Sequence, residues 1–179
     1  MFSTTFTHTS TSPLPTRTTP SSALHLLHDF DSIIRLNPNV RNVHACAPDS
    51  DAPHEGQHNA VRDDIPFIPK NLWPGGGVRY TAVCVPVQDG CDIIIFAPAG
   101  FTSLNCGRLV RARAGDGDGE GDGDGWELRI VSDAKCSVVF AFFVKRFMPS
   151  SHAQLQRGFC EKVQARSRPS VGGSRRSSR

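Results

Sequence analysis

No run of apolar residues in this 179-residue chain reaches the roughly 18 needed to cross a bilayer, so no membrane-spanning helix is expected. None of the six cysteines (Cys46, Cys84, Cys91, Cys106, Cys136 and Cys160) forms a Cys-x-x-Cys pair, which removes the zinc-ribbon reading. An even cysteine count in a short secreted chain would suggest disulfides. Residues 1 to 20, however, are rich in Ser, Thr and Pro and lack the apolar segment of a secretory signal. Arg17 and a shortage of acids give this stretch some likeness to a transit peptide, but Pro13, Pro15 and Pro20 break any amphipathic helix. The expectation is a cytoplasmic protein whose free thiols are buried or half-buried. A phosphate loop is also missing: "LWPGGGVRY" has the glycines, but no Gly-Lys-Ser/Thr follows and the next segment is a strand.

Acids are absent from Arg166 to Arg179, where five arginines lie, and the rest of the chain carries 15 basic against 17 acidic residues. The overall charge of +3 therefore belongs to the tail, and the folded part is not a basic surface of the nucleic-acid-binding kind. Residues 166–179 read as a low-complexity, disordered Arg/Ser tail, inert or phosphorylatable in preference to one that touches nucleic acid or anionic lipid by charge alone, and no nucleic acid is expected as a partner. The opposite sign collects in "GDGDGEGDGDGWE". Counted from Asp116, its acids at Asp118, Glu120, Asp122, Asp124 and Glu127 and its Gly121 imitate a calcium loop. An EF-hand needs a helix on each side, and the flanks "GRLVRARA" and "WELRIV" are strand-like. Position eight, normally apolar, is Gly123. Residues 114–125 are expected to be a disordered acidic hairpin loop, with Trp126 and Glu127 opening a strand.

The remaining segments give an order of elements. "MFSTTFTHT" alternates as a strand does, and "PSSALHLLHDFDSIIRLNP" reads as two short helices broken at Asp29 and Asp31 and ended before Pro38. "NVRNVHACAP" is a strand, and the polar stretch from Asp49 to Asp64 has room for an edge strand near His58 to Arg62. "VRYTAVCVPV" and "CDIIIFAPA", joined by "QDG", form a hairpin, and "NCGRLVRARA" is a further strand. "WELRIV" and "KCSVVFAFFVKRF" read as two strands with "SDA" at the corner, the second apolar on both faces. A helix opening at Pro149 would cover it through Met148, His152, Leu155, Phe159 and Val163.

This order, with "IIRLNPNV", "VRYTAVCVPVQDGCDIIIFAPAG" and "KCSVVFAFFVKRFMPSSHAQL", resembles a family of uncharacterised fungal proteins in the START and polyketide-cyclase-like (helix-grip) superfamily. The resemblance covers residues 1–165 and contains no catalytic motif. It implies an α+β fold, a curved antiparallel sheet wrapped on a long C-terminal helix, with two short helices after the first strand. It also implies a cavity between sheet and helix for a small hydrophobic molecule, lipid or polyketide-like.

Tyr80, Phe96, Trp126, Phe140, Phe142, Leu155 and Phe159 are the candidate cavity residues, since apolar pockets and apolar cores use the same residue types. An enzyme of the cyclase or dehydratase kind would need an acid or base in that cavity, with His28, Asp92, Arg79 and His152 as candidates. A third reading is an interaction protein with a filled core. His25 and His28 share a helical face but have no recognisable third ligand, so neither metal nor cofactor is expected. Ligand identity and oligomeric state are not readable from the sequence.

Overall fold

The computed structural model describes residues 2–48, 55–64, 77–112 and 125–167. It comprises β1 (Ser3–Pro13), α1 (Pro20–Leu27), α2 (Phe30–Ile34), β2 (Val40–Ala45), β3 (Gln57–Asp63), β4 (Val78–Val87), β5 (Gly90–Ala97), β6 (Phe101–Arg111), β7 (Trp126–Ser137) and α3 (Val138–Ser167). The strands form one curved antiparallel sheet in the order β1-β7-β6-β5-β4-β3-β2. The acidic loop 114–125, apart from Gly125, and residues 168–179 of the tail lie outside the described residues, whereas Arg166 and Ser167, expected to open the disordered tail, are the last residues of α3. Their flanks are strands: Arg111 pairs with Trp126, its guanidinium 5.4 Å from the indole centroid, and Ala112 N–H donates to the Gly125 carbonyl at 2.9 Å.

The two short helices start where side chains can cap them. Thr19 Oγ1 accepts from Ser22 N at 3.2 Å with Pro20 in the first helical turn, and Asp29 Oδ1 accepts from Ser32 N at 3.2 Å. Between them they bury Ala23, Leu26, Leu27, Phe30, Ile33 and Ile34. The β4–β5 hairpin depends on a glycine. A Cβ on Gly90 would stand 1.8 Å from the Gly107 carbonyl oxygen of the neighbouring strand. Gly90→Ala must therefore push β5 from β6 and is expected to cost about 3 kcal/mol. Urea unfolding checks this, and an unchanged midpoint would contradict it.

Two expectations need correction. The segment near His58 to Arg62 is a full strand, β3, lying between β2 and β4, so the sheet edge is β2 and not β3. The polar sequence misled because His58, Asn59 and Asp63 are buried in spite of their chemistry. The larger correction lies at the end of the sheet. "SDA" makes no corner: β7 runs unbroken through it to Ser137, and "VVFAFFVKRF" is the first third of α3. Periodicity cannot separate a short apolar strand from a helix. Pairing decides here, since β7 meets β1 as far as Ser3↔Ser137, and its pairing with β6 stops at Thr102↔Lys135. Beyond Ser137 no partner strand remains among the described residues, and a helix satisfies the backbone internally. Pro149 lies inside α3 rather than at its start.

Candidate functional site

Alternate residues of a strand face opposite sides of the sheet, and paired residues face the same side. Cys84, Leu128 and Ile130 join the main core, with Tyr80, Ile93 and Trp126 packed against it, so these residues mark the concave face that α1, α2 and α3 cover. One end of the core is closed by the second half of α3. There Phe159 and Val163 of α3 are fully buried, Leu36 packs on the backbone of Gly158, and Arg166 Nη2 reaches Asp29 Oδ2 at 2.8 Å. The Ser32 side chain first, and then that guanidinium and the Ser32 amide, hold the Asp29 carboxyl below its usual range by hydrogen bonding to it. The second half of α3 is thus pinned to the helices and the sheet.

The first half of α3 is arranged differently. Helix α3 packs on β7, β1 and α1, along one side of the sheet. On the concave face of β5 and β6, Ile93, Ile95, Phe101 and Asn105 are only half-buried. An apolar floor with partial solvent contact therefore lies beside the first half of α3.

At the border of this floor runs a chain of polar side chains whose proton directions can be worked out. Asn105 Nδ2 lies 3.1 Å from the Ile93 carbonyl, which only accepts, so the amide orientation is fixed and Asn105 Oδ1 must face Ser132. Ser132 Oγ donates its one proton to that oxygen at 2.5 Å. His152 Nε2, 2.8 Å from Ser132 Oγ, must then be the donor to it. His152 Nδ1 is left to accept from Ser10 Oγ at 3.0 Å. Asn105 Nδ2 also donates to Ser103 Oγ at 3.0 Å, and the His8 ring lies 4.8 Å from that of His152. Burial, and secondarily the nearby His8, push the His152 pKa down to about 4, so the ring is neutral at pH 7. Ser132 has no base to take its proton, because His152 presents it with N–H. The chain is a satisfied hydrogen-bond network and not a nucleophile with its base.

The other acid-base candidates are dispersed. His28 Nε2 donates to the carbonyls of Gly90 at 2.9 Å and Val87 at 3.2 Å, where it ties α1 to the hairpin. Asp92 and Arg79 face the convex side, Asp92 bonded to Arg108 Nη2 at 2.6 Å. Only His152 reaches the concave interior. His25 and His28 are not joined by a third ligand, and no group of three metal-binding side chains occurs among the described residues. All six cysteines are free, and burial pushes Cys84 and Cys91 up to about 12, away from thiolate chemistry.

Of the seven cavity candidates, Tyr80, Trp126 and Leu155 pack against the core around fully buried Phe159. Tyr80 also donates its hydroxyl to Asp63 Oδ2 at 3.0 Å. Phe140 is half-buried on the first turn of α3. Phe96 is on the convex face, set there by strand alternation from Ile93 and Ile95, where it lines an open hollow of about 610 Å³ with Ile94 and Leu104. Phe142 is 68% exposed on the outer side of α3, because its segment is helix and not strand. Sequence reasoning missed Ile93, Ile95, Asn105, Ser132 and Ser10. The triple isoleucine gave a signal, since alternation places Ile93 and Ile95 together and Ile94 opposite.

A curved antiparallel sheet with a long C-terminal helix and two short helices after the first strand defines the START-like α+β class, and solved structures agree. A START superfamily protein from Mycobacterium smegmatis aligns with TM-score 0.61 at 12% identity, over 90% of this chain and 99% of that one. The Zhui aromatase/cyclase from Streptomyces sp. R1128 aligns at 0.59 and 13% identity over 96% and 99%. A norcoclaurine synthase point mutant from Thalictrum flavum, in complex with a transition-state analogue, aligns at 0.59 and 8% identity over 94% and 99%. At these identities the likeness establishes the fold alone. The chain belongs to the family described as a domain of unknown function, DUF7053, whose model matches residues 3–165. No curated protein matches it.

Proposed function

We propose that the protein binds one small hydrophobic molecule, lipid or polyketide-like, without covalent chemistry, on the concave face between β5–β6 and the first half of α3. The observation that carries this reading is the division of the interior. One end is filled by Phe159, Val163, Leu26 and Leu128, whereas Ile93, Ile95 and Phe101 on the same face remain half-buried. Apolar floors with a few convergent polar groups are the usual composition of small-molecule sites. Here the His8 ring would orient a polar end of the ligand, Phe140 would form part of the wall, and Tyr80, Trp126, Leu155 and Phe159, packed in the filled end, would close the site behind it. The fold is shared with an aromatase/cyclase and with a synthase solved with a transition-state analogue, which supports a ligand-binding role for it.

The cyclase reading is weaker for this chain. Three of its four acid-base candidates point elsewhere or are occupied by carbonyls, and His152 has both nitrogens in hydrogen bonds. An apolar fluorescent probe tests the binding reading. Anilinonaphthalene sulfonate should bind the folded protein saturably, and a long-chain fatty acid should displace it. Absence of saturable fluorescence would remove the proposal.

A further inference from the structure

The apolar start of α3 raises a question that the ligand site leaves unanswered. Val138 (55% exposed), Val139 (76%), Phe142 (68%) and Phe143 (48%) stand on its outer side, one helical turn apart in pairs. Phe2, 91% exposed, adjoins them, since its carbonyl accepts from Val138 N at 3.2 Å. Phe142 and Phe143 meet edge to face with centroids 5.8 Å apart. Large apolar side chains gathered in this way on a surface mark an interaction site.

The charges around the patch identify its partner. From Ala134 to Cys160 there is no acidic residue, and Lys145 and Arg146 are exposed within one turn of Phe142 and Phe143; the nearest acid in sequence, Asp133, is on the convex face of β7 and accepts from Thr7 Oγ1. Arg146 follows Phe142 by four residues on the same helical side, and Lys145 lies with its ammonium 5.6 Å from the Phe6 ring. Aromatic and branched apolar residues at one end of a helix, bordered by bases without acids, match a bilayer interface with anionic headgroups. We propose that this face seats the protein on an anionic phospholipid surface, with Phe142 and Phe143 entering the acyl boundary and Lys145 and Arg146 at the headgroups. The inference is independent of the ligand reading, because Val138, Val139, Phe142 and Phe143 stand exposed on the outer side of α3, and only the Lys145 ammonium, over the Phe6 ring, turns toward the edge of the concave face of the sheet.

Co-sedimentation of the full chain with phosphatidylcholine vesicles, and with vesicles that also contain phosphatidylserine, tests it. The protein should bind the phosphatidylserine vesicles and lose binding as salt is raised. The double variant Phe142→Asp/Phe143→Asp should bind at least about tenfold less, with an unchanged circular dichroism spectrum. Lys145→Glu/Arg146→Glu should lose at least about tenfold and lose the salt dependence too. Failure of the parent protein to bind phosphatidylserine vesicles would overturn the proposal, as would equal binding by the Phe variant. Analytical ultracentrifugation gives the remaining outcome: a dimer of the parent protein that the Phe variant abolishes would assign the patch to a second copy of the chain and overturn the lipid proposal.

Discussion

The variant Asp63→Asn is expected to be more stable than the parent protein at pH 7 by about 2 kcal/mol, and to lose stability steeply on acidification where the parent changes little. The side chain of Asp63 is buried between β3, Asn37 and Tyr80. Among the described residues its hydrogen bonds, from Tyr80 Oη at 3.0 Å and Asn37 Nδ2 at 3.2 Å, go to Oδ2, while Oδ1 is buried without a partner. Burial pushes its pKa from 3.8 up to about 6. A group raised in the folded state contributes stability below the unfolded value of 3.8 and loses it as pH rises through 6. At pH 7 the charged carboxylate is therefore a cost, which asparagine removes. His152 acts in the opposite sense. Its folded pKa of about 4 lies below the unfolded 6.5, so its contribution is present above 6.5 and is lost as pH falls through 4.

Between pH 4 and 6 the two groups nearly cancel, each worth on the order of 2 kcal/mol after allowance for screening. Removing Asp63 exposes the His152 slope. Urea unfolding at a series of pH values checks the prediction. A variant no more stable than the parent at pH 7, or one with the parent's shallow pH dependence, would contradict it.

Ile95→Asp is expected to lower the affinity for apolar ligands by more than about tenfold. The residue lies on the concave face of β5, half-buried, two positions from core-packed Ile93. A carboxylate there would have to lose its water beneath an apolar ligand, whereas in the free protein it keeps partial solvent contact. The fold should tolerate it at a cost of about 1 kcal/mol. Ile94→Asp, on the convex face of the same strand, is the control and should leave binding unchanged. Titration with the fluorescent probe distinguishes the two, and equal losses in both variants would place the ligand elsewhere.

The parts of the fold that the sequence made legible rest on local chemistry. Thr19-Pro20 and Asp29 start the two small helices, and "QDG" turns the β4–β5 hairpin. The Met148-His152-Leu155-Phe159-Val163 stripe does face inward from α3, with Leu155 half-buried and the other four buried. Non-local decisions were not legible. Whether "VVFAFFV" is strand or helix depends on where β1 and β6 end, which no local pattern records. The burial of Asn59 and Asp63 depends on Cys84, Asn37 and Tyr80, which lie far away in sequence. The candidate site followed the same rule. Phe159 and Leu155 came from helical spacing, whereas the side of the sheet that Phe96 takes required the register.

Native mass spectrometry of the purified protein, delipidated and then exposed to a fatty acid and to an aromatic polyketide, tests the central proposal most directly. One bound molecule per chain is expected for the parent protein and none for Ile95→Asp. No bound molecule from either class, or equal retention by Ile95→Asp, would contradict it.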